Sequence, residues 1–201
     1  MKKLLSIIAL VAALCAFGGM AEGTPLPSPL PASPKFGVDS TQPPQTFSEA
    51  DAPYDGVWQP FEDGFKLYLP REWASLALDE AQAEAGLFYR AGSNDGSMGV
   101  VVGYMLAGAL ETIDALAGDF EQSGYTSVAQ GDLNGIPAIA FERPRDGYRG
   151  VAFFHPVYPE YVLYVFASPL ELPDGETNQI GIALLASITP LEVSSERLKN
   201  Y

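Results

Sequence analysis

The stretch Leu133-Asn134-Gly135-Ile136-Pro137-Ala138-Ile139-Ala140-Phe141 decides how this chain is read. Asn134-Gly135 offers the two positive-φ positions of a type I′ turn, whose twist matches that of the antiparallel strands it joins. The residues that follow are apolar on both strand faces, which predicts a sheet with neither side open to water. Pro137 has no amide hydrogen to give, so its place must be one where the ladder needs no donor, early in a strand or at an edge.

Downstream, the pattern continues as a meander over Ile136–Glu142, Tyr148–His155 and Tyr161–Ala167, joined by the short connections 143–147 and 156–160. Alternation sets Val151 and Phe153 against Ala152 and Phe154, and Tyr161, Leu163 and Val165 against Val162, Tyr164 and Phe166. Upstream, Ala109–Ser123 reads as a helix with Ile113, Leu116, Ala117 and Phe120 on one face and Gly124 just past its end. Residues 125–130 read as a lead into the Asn134-Gly135 turn. Before the helix come a hairpin of Leu87–Arg90 and Met98–Met105, a short helix over Asp79–Ala85 stopped by Gly86, and strands at Val57–Gln59 and Phe65–Leu69. A last helix over Glu176–Ser187 places Ile180, Ala183, Leu184 and Ile188 on one face, with Pro190 closing it. The fold class expected is α+β, a mainly antiparallel sheet flanked by helices on both faces.

The two ends of the chain have a different chemistry. Residues 1–21 read as a secretory signal, with Lys2 and Lys3 before the apolar run Leu4–Phe17 and Gly19-Met20-Ala21 as the cleavage site. Fourteen helical residues reach only about 21 Å, short of a hydrocarbon core of about 30 Å, so stable membrane insertion is not expected after cleavage. Cys15 opens the rival reading of a lipoprotein, but Leu14 stands where that signal wants a small residue. Residues 22–54 hold eight of the 17 prolines and read as an extended linker, followed by a single globular domain over 55–190 and a polar tail over 191–201. The leader carries two of the 11 basic residues and none of the 25 acidic ones, leaving nine against 25, a net of −16. Such a charge argues against nucleic acid and anionic membrane as partners. Losing the leader also removes the one cysteine, so the core must hold the domain together without disulfides.

The order of elements, with Gly64-Phe65, the corner Pro70-Arg71-Glu72-Trp73 and the strand opening Asn134-Gly135-Ile136-Pro137, resembles the PsbP-like α/β/α sandwich over about Val57–Pro190. That resemblance implies a bacterial exported protein acting as a non-catalytic binding or assembly module. It carries no functional residue over to this chain.

Chemical motifs are few. Asp95-Gly96-Ser97-Met98-Gly99 lacks the first glycine spacing of a nucleophile elbow. His155 is the one histidine, at a strand end; as a base it would need a nucleophile and an orienting carboxylate from elsewhere in the chain. With so few nitrogen and sulfur ligands a zinc site is not expected, and the turns at Asp95 and Asp132 lack calcium-loop spacing, so no cofactor or metal is implied. The least ordinary segment is Arg143-Pro144-Arg145-Asp146-Gly147-Tyr148-Arg149, three of nine basic residues within one hairpin. Arg143, Arg145, Arg149 and Tyr148 are therefore candidate partner-binding residues, with Tyr158 and Tyr161 as possible neighbours in a contact patch; the alternative is that the arginines pair with the domain's own carboxylates. The role expected is an exported module that binds a protein or envelope component. A secreted hydrolase using His155 or paired carboxylates, and a small-ligand-binding protein, stand as alternatives.

Overall fold

The computed structural model describes residues 46–61 and 64–191. The expected signal sequence, Cys15, most of the linker and nearly all of the tail lie outside the described residues. Strands β1 (Gly56–Phe61), β2 (Phe65–Pro70) and β10 (Thr189–Pro190) form a small antiparallel sheet in the order β1-β2-β10. Strands β3 (Ala74–Ser75), β4 (Leu87–Gly92), β5 (Gly99–Leu106), β6 (Thr126–Leu133), β7 (Ile136–Arg143), β8 (Tyr148–Phe154) and β9 (Tyr161–Ser168) form a seven-stranded antiparallel sheet in the order β3-β4-β5-β9-β8-β7-β6. Helices α1 (Glu80–Glu84), α2 (Ile113–Gln122) and α3 (Gln179–Ala186) complete an α+β fold.

The Asn134-Gly135 turn is as its chemistry requires, with φ of 51° and 96° and the closing pair Leu133 and Ile136. It also explains a strand that composition hides. Residues 126–133 have little β propensity, yet a two-residue hairpin needs a partner on each side of the turn, and they supply it as β6. β6 is a sheet edge, and a register break between Thr126 and Ala129, with Ser127 at φ 53°, bends it and blunts that edge. Pro137 sits in an interior strand but at its start. It faces Asp132 on β6, one position beyond the hydrogen-bonded closing pair, and the β7–β8 ladder begins only at Ala138, so no donor is missing.

Alternating strand residues divide the interior into two clusters. One contains Val100, Val102, Val151, Phe153, Leu163 and Val165 together with Phe65, Leu67 and Leu69 of β2 and Leu184 and Leu185 of α3. The other contains Ala152, Val162, Tyr164 and Phe166 together with Leu116, Ala117 and Phe120 of α2. The parity read from sequence for β8 and β9 is therefore the parity of the two clusters. Removing the large ring of Phe153 would cost about 3 to 5 kcal/mol on the usual scale for buried aromatics.

The helices begin later than their periodicity suggests, because capping side chains intervene. Thr112 Oγ1 accepts the Ala115 amide at 3.1 Å, fixing the start of α2 at Ile113 rather than Ala109. Asn178 Oδ1 accepts the Gly181 amide at 2.9 Å, so α3 starts at Gln179 rather than Glu176. Its inward face is also rotated, to Gly181, Leu184, Leu185 and Ile188. A Cβ on Gly181 would lie 3.3 Å from Ala167 Cβ, so this close approach to β9 sets the rotation. Gly118 in α2 has open space around it, so Gly118→Ala is expected to raise stability by about 0.5 to 1 kcal/mol in urea unfolding, with unchanged slope.

The folded unit begins earlier than the expected boundary at 55. Residues 46–54 lie on the small sheet: the Phe47 amide donates to Asn134 Oδ1 at 2.7 Å, Ser48 caps a 3₁₀ turn over Glu49–Asp51, and Trp58 Nε1 donates to Glu49 Oε1 at 2.6 Å. Phe47, Tyr54 and Trp58 all pack on the Tyr68 ring, at centroid distances of 5.7, 5.7 and 5.2 Å. Composition predicts a linker here, but the rings of Phe47 and Tyr54 find a covered surface on Tyr68.

Candidate functional site

The arginine hairpin joins β7 to β8. Arg143 ends β7, Pro144–Asp146 make a 3₁₀ turn, and Gly147 at φ 70° returns the chain into β8. Arg143 Nε lies 2.7 Å from Asp146 Oδ2, and its guanidinium sits 5.1 Å over the Tyr125 ring. Burial works against the Arg143 charge, but Tyr148 and Asp146 outweigh it and hold its pKa above the ordinary value. Arg149 is the cross-strand partner of Glu142, 3.6 Å from its Oε1, and its Nη2 donates to the Leu170 carbonyl at 3.2 Å. Burial wins there and draws the Arg149 pKa down against Glu142 and Glu171.

Tyr148 is 0% exposed, packed on Phe166 at 4.8 Å, with burial first and Tyr125 second raising its phenol pKa far above normal. It is a core residue and offers no surface to a partner. Arg145 alone of the four is exposed. Nor do Tyr158 and Tyr161 join this hairpin: β8 carries the chain from Tyr148 to Phe154, about 20 Å, to the other end of the sheet before they occur. The structure thus brings Arg143, Asp146, Tyr125 and Tyr148 together as a packed, charge-balanced corner.

His155 is 5% exposed, and its Nδ1 accepts the backbone amides of Val157 and Tyr158 at 3.0 and 3.1 Å. That places the proton of the neutral ring on Nε2 and makes the imidazole a clasp for the 156–160 connection. His155→Ala leaves both amides without this acceptor, and a loss of about 1 to 3 kcal/mol in thermal or urea unfolding is expected. The two acidic turns are structural in the same way. Asp132 Oδ1 accepts the Gly135 amide at 2.6 Å, and Asp95 Oδ1 accepts the Ser93 hydroxyl at 2.6 Å and the Ser97 amide at 3.0 Å.

These bonds, led by Ser93, lower the Asp95 pKa to about 2. Because the folded value is depressed, the carboxylate's support of the loop is complete above the ordinary value of 3.8 and is lost as pH falls toward about 2. The Ser97 amide resonance is expected to titrate near that lower value; a midpoint at the ordinary carboxylate value would contradict the arrangement.

A shallow cleft beside β6 and β7 is lined by Ala129, Gly131, Ala138, Ala140 and Val151 and encloses about 10 Å³. That is room for about one water and not for an organic ligand.

The surface with the strongest binding character lies at the opposite end of the sheet from the arginines. Leu106 is 66% exposed and Tyr104 43% exposed, on the face of β5 that carries Val100 and Val102 into the core. Leu106 pairs across the ladder with Tyr161 at the start of β9, and the Tyr104 and Tyr161 rings meet edge to face at 5.6 Å and 84°. Phe88 approaches Tyr104 at 6.1 Å and continues under Phe61 at 6.0 Å, so the surface runs without a break into the core. Tyr158, 44% exposed, meets the His155 ring at a tilt, with centroids 5.0 Å apart, at the same sheet end. Sequence reasoning missed this surface because Tyr104 and Leu106 carry the strand parity of buried residues. What exposes them is where their cover stops, a tertiary property with no local signal.

No protein-family model matches this chain, and no curated protein does. A solved crystal structure from Bacteroides thetaiotaomicron is similar with a TM-score of 0.40 and 10% identity; the match covers 65% of this chain and 46% of that one, so this chain spans about half its length.

Proposed function

We propose that this chain is an exported, non-catalytic binding or assembly module with a PsbP-like α/β/α architecture, and that it holds a protein or envelope component through the surface of Tyr104, Leu106, Tyr161 and Phe88. The carrying observation is that surface: two large apolar side chains at 66% and 43% exposure, two positions apart on one face of β5, with the Tyr161 and Phe88 rings beside Tyr104. Exposed contiguous apolar patches of this kind mark contact sites, and tyrosine is favoured at their centres. The leader and the proline-rich segment support export and a tethered domain, and the placement of α2 and α3 residues in opposite core clusters supports the sandwich. The acidic balance favours a protein partner over nucleic acid or an anionic lipid surface. A secretory signal cut after Ala21 places the domain in extracytoplasmic or extracellular space.

The test is a crosslinking pull-down from intact cells with three chains: the parent, Tyr104→Ser with Leu106→Ser, and Arg145→Glu. The reading expects the serine pair to lose the recovered partner while Arg145→Glu keeps it. Recovery unchanged by the serine pair but lost with Arg145→Glu would return the interface to the hairpin.

A further inference from the structure

Asparagine followed by glycine is open to succinimide chemistry, because glycine has no side chain to keep its amide nitrogen away from the preceding carboxamide. The surroundings of Asn134-Gly135 leave room for that reaction. Gly135 is exposed, and a Cβ added there would meet nothing within 4 Å, so water and base reach its amide. Each group that would react is nevertheless held. The Gly135 amide, which is the nucleophile, donates to Asp132 Oδ1 at 2.6 Å. The Asn134 carboxamide accepts the Phe47 amide through Oδ1 at 2.7 Å, and its Nδ2, which is the leaving group, donates to the carbonyls of Ala186 at 3.0 Å and Ile188 at 2.7 Å. Both hydrogens of Nδ2 are engaged, so the carboxamide turns toward the Gly135 nitrogen only by breaking bonds at both of its ends.

We propose that Asn134 is a latent deamidation site, held closed in the folded domain by these bonds and opened by release of Phe47. In the open form, base removes the Gly135 amide proton, the nitrogen forms a bond to Asn134 Cγ, and the Cγ–Nδ2 bond breaks as Nδ2 takes up a proton and leaves as ammonia. Water then opens the succinimide at either carbonyl, giving aspartate or, through the longer backbone, isoaspartate. One water is consumed and one ammonia released, with no oxidant or cofactor.

Phe47 is the easiest of the holding groups to release. Asp132 lies in β6, Ala186 ends α3, and Ile188 is buried in the core. Phe47 belongs to no strand or helix and is kept by its amide bond and by its ring against Trp58 and Tyr68, so its departure breaks no ladder. Local openings of this kind cost less than global unfolding and set the rate of slow chemistry at groups the fold protects. The step runs one way. A carboxylate at position 134 has no hydrogen to donate to Ala186 and Ile188 and faces both carbonyls with a negative charge, so the closed arrangement does not re-form. The converted turn records that the entering chain has come away. The site does not depend on the reading of the Tyr104 surface.

Peptide mapping by mass spectrometry tests this on the full chain at neutral pH, reading the amide-to-acid mass change in the Asn134 peptide and its isoaspartate content by enzymatic methylation. The parent is expected to convert in urea and far more slowly while folded. Phe47→Pro, with no amide hydrogen to donate, should convert about fivefold faster than the folded parent, the factor for one lost hydrogen bond. Phe47→Ala, which keeps the amide and loses the ring, should fall between the two. His155→Ala, weakened at the 156–160 connection with the Asn134 and Gly135 bonds intact, should keep the parental rate, which separates local opening from a general loss of stability. Converted parent, isolated by its added charge, should unfold at lower urea than unconverted parent. Conversion of the folded parent as fast as in urea, no gain from either Phe47 variant, an equal gain from His155→Ala, or converted protein as stable as the parent would each overturn the proposal.

Discussion

Asn134→Ala is expected to lower the stability of the domain by about 4 kcal/mol, from three hydrogen bonds of about 1 kcal/mol each and a left-handed backbone that alanine adopts at a cost of about 1 to 2 kcal/mol. The side chain accepts from the Phe47 amide at 2.7 Å and donates to the carbonyls of Ala186 at 3.0 Å and Ile188 at 2.7 Å. One turn residue thus ties the entering chain, the β6–β7 hairpin and the end of α3 together. Asn134→Gly separates the two contributions: the φ of 51° costs glycine nothing, and only the side-chain bonds are lost. Urea unfolding of both variants should place glycine between parent and alanine. Equal losses for the two would mean that backbone conformation contributes nothing there.

Gly150→Ala is expected to cost about 3 kcal/mol or more, despite adding a single methyl group. A Cβ at Gly150 would stand 2.6 Å from Phe141 Cζ and 2.7 Å from the Val165 carbonyl oxygen. The ring can turn only within a core that also holds Phe120 and Tyr125 against it, and the carbonyl belongs to the neighbouring strand. Replacing Phe141 with leucine in the same chain should restore part of the loss by clearing the ring. A Gly150→Ala protein as stable as the parent would show that β8 and β9 can part without cost.

The meander was legible because its signals are local. Asn134-Gly135 needs two positive φ values, and strand alternation in Tyr161–Ala167 fixes which residues share a core. The helix starts were less so, since Thr112 and Asn178 act through single capping bonds that interrupt an otherwise continuous apolar period. β6 and the packing of residues 46–54 were hidden for another reason: neither has the composition of its role, and each is held by a partner far along the chain. The arginine hairpin shows the limit on function. Three cations in seven positions look like a site, but Glu142, Asp146 and the Leu170 carbonyl already engage two of them, and Tyr148 is interior. Pairing and cover decide what a side chain offers, and both are set by residues distant in sequence.

The central proposal is that the Tyr104 and Leu106 surface is the face that meets a partner. The most direct measurement places a photo-crosslinking amino acid at Leu106 in one chain and at Arg145 in another, and illuminates both in intact cells. A discrete crosslinked species is expected from position 106, absent when Tyr104 is also changed to serine, and none from position 145. A discrete species from position 145 with nothing from position 106 would contradict it.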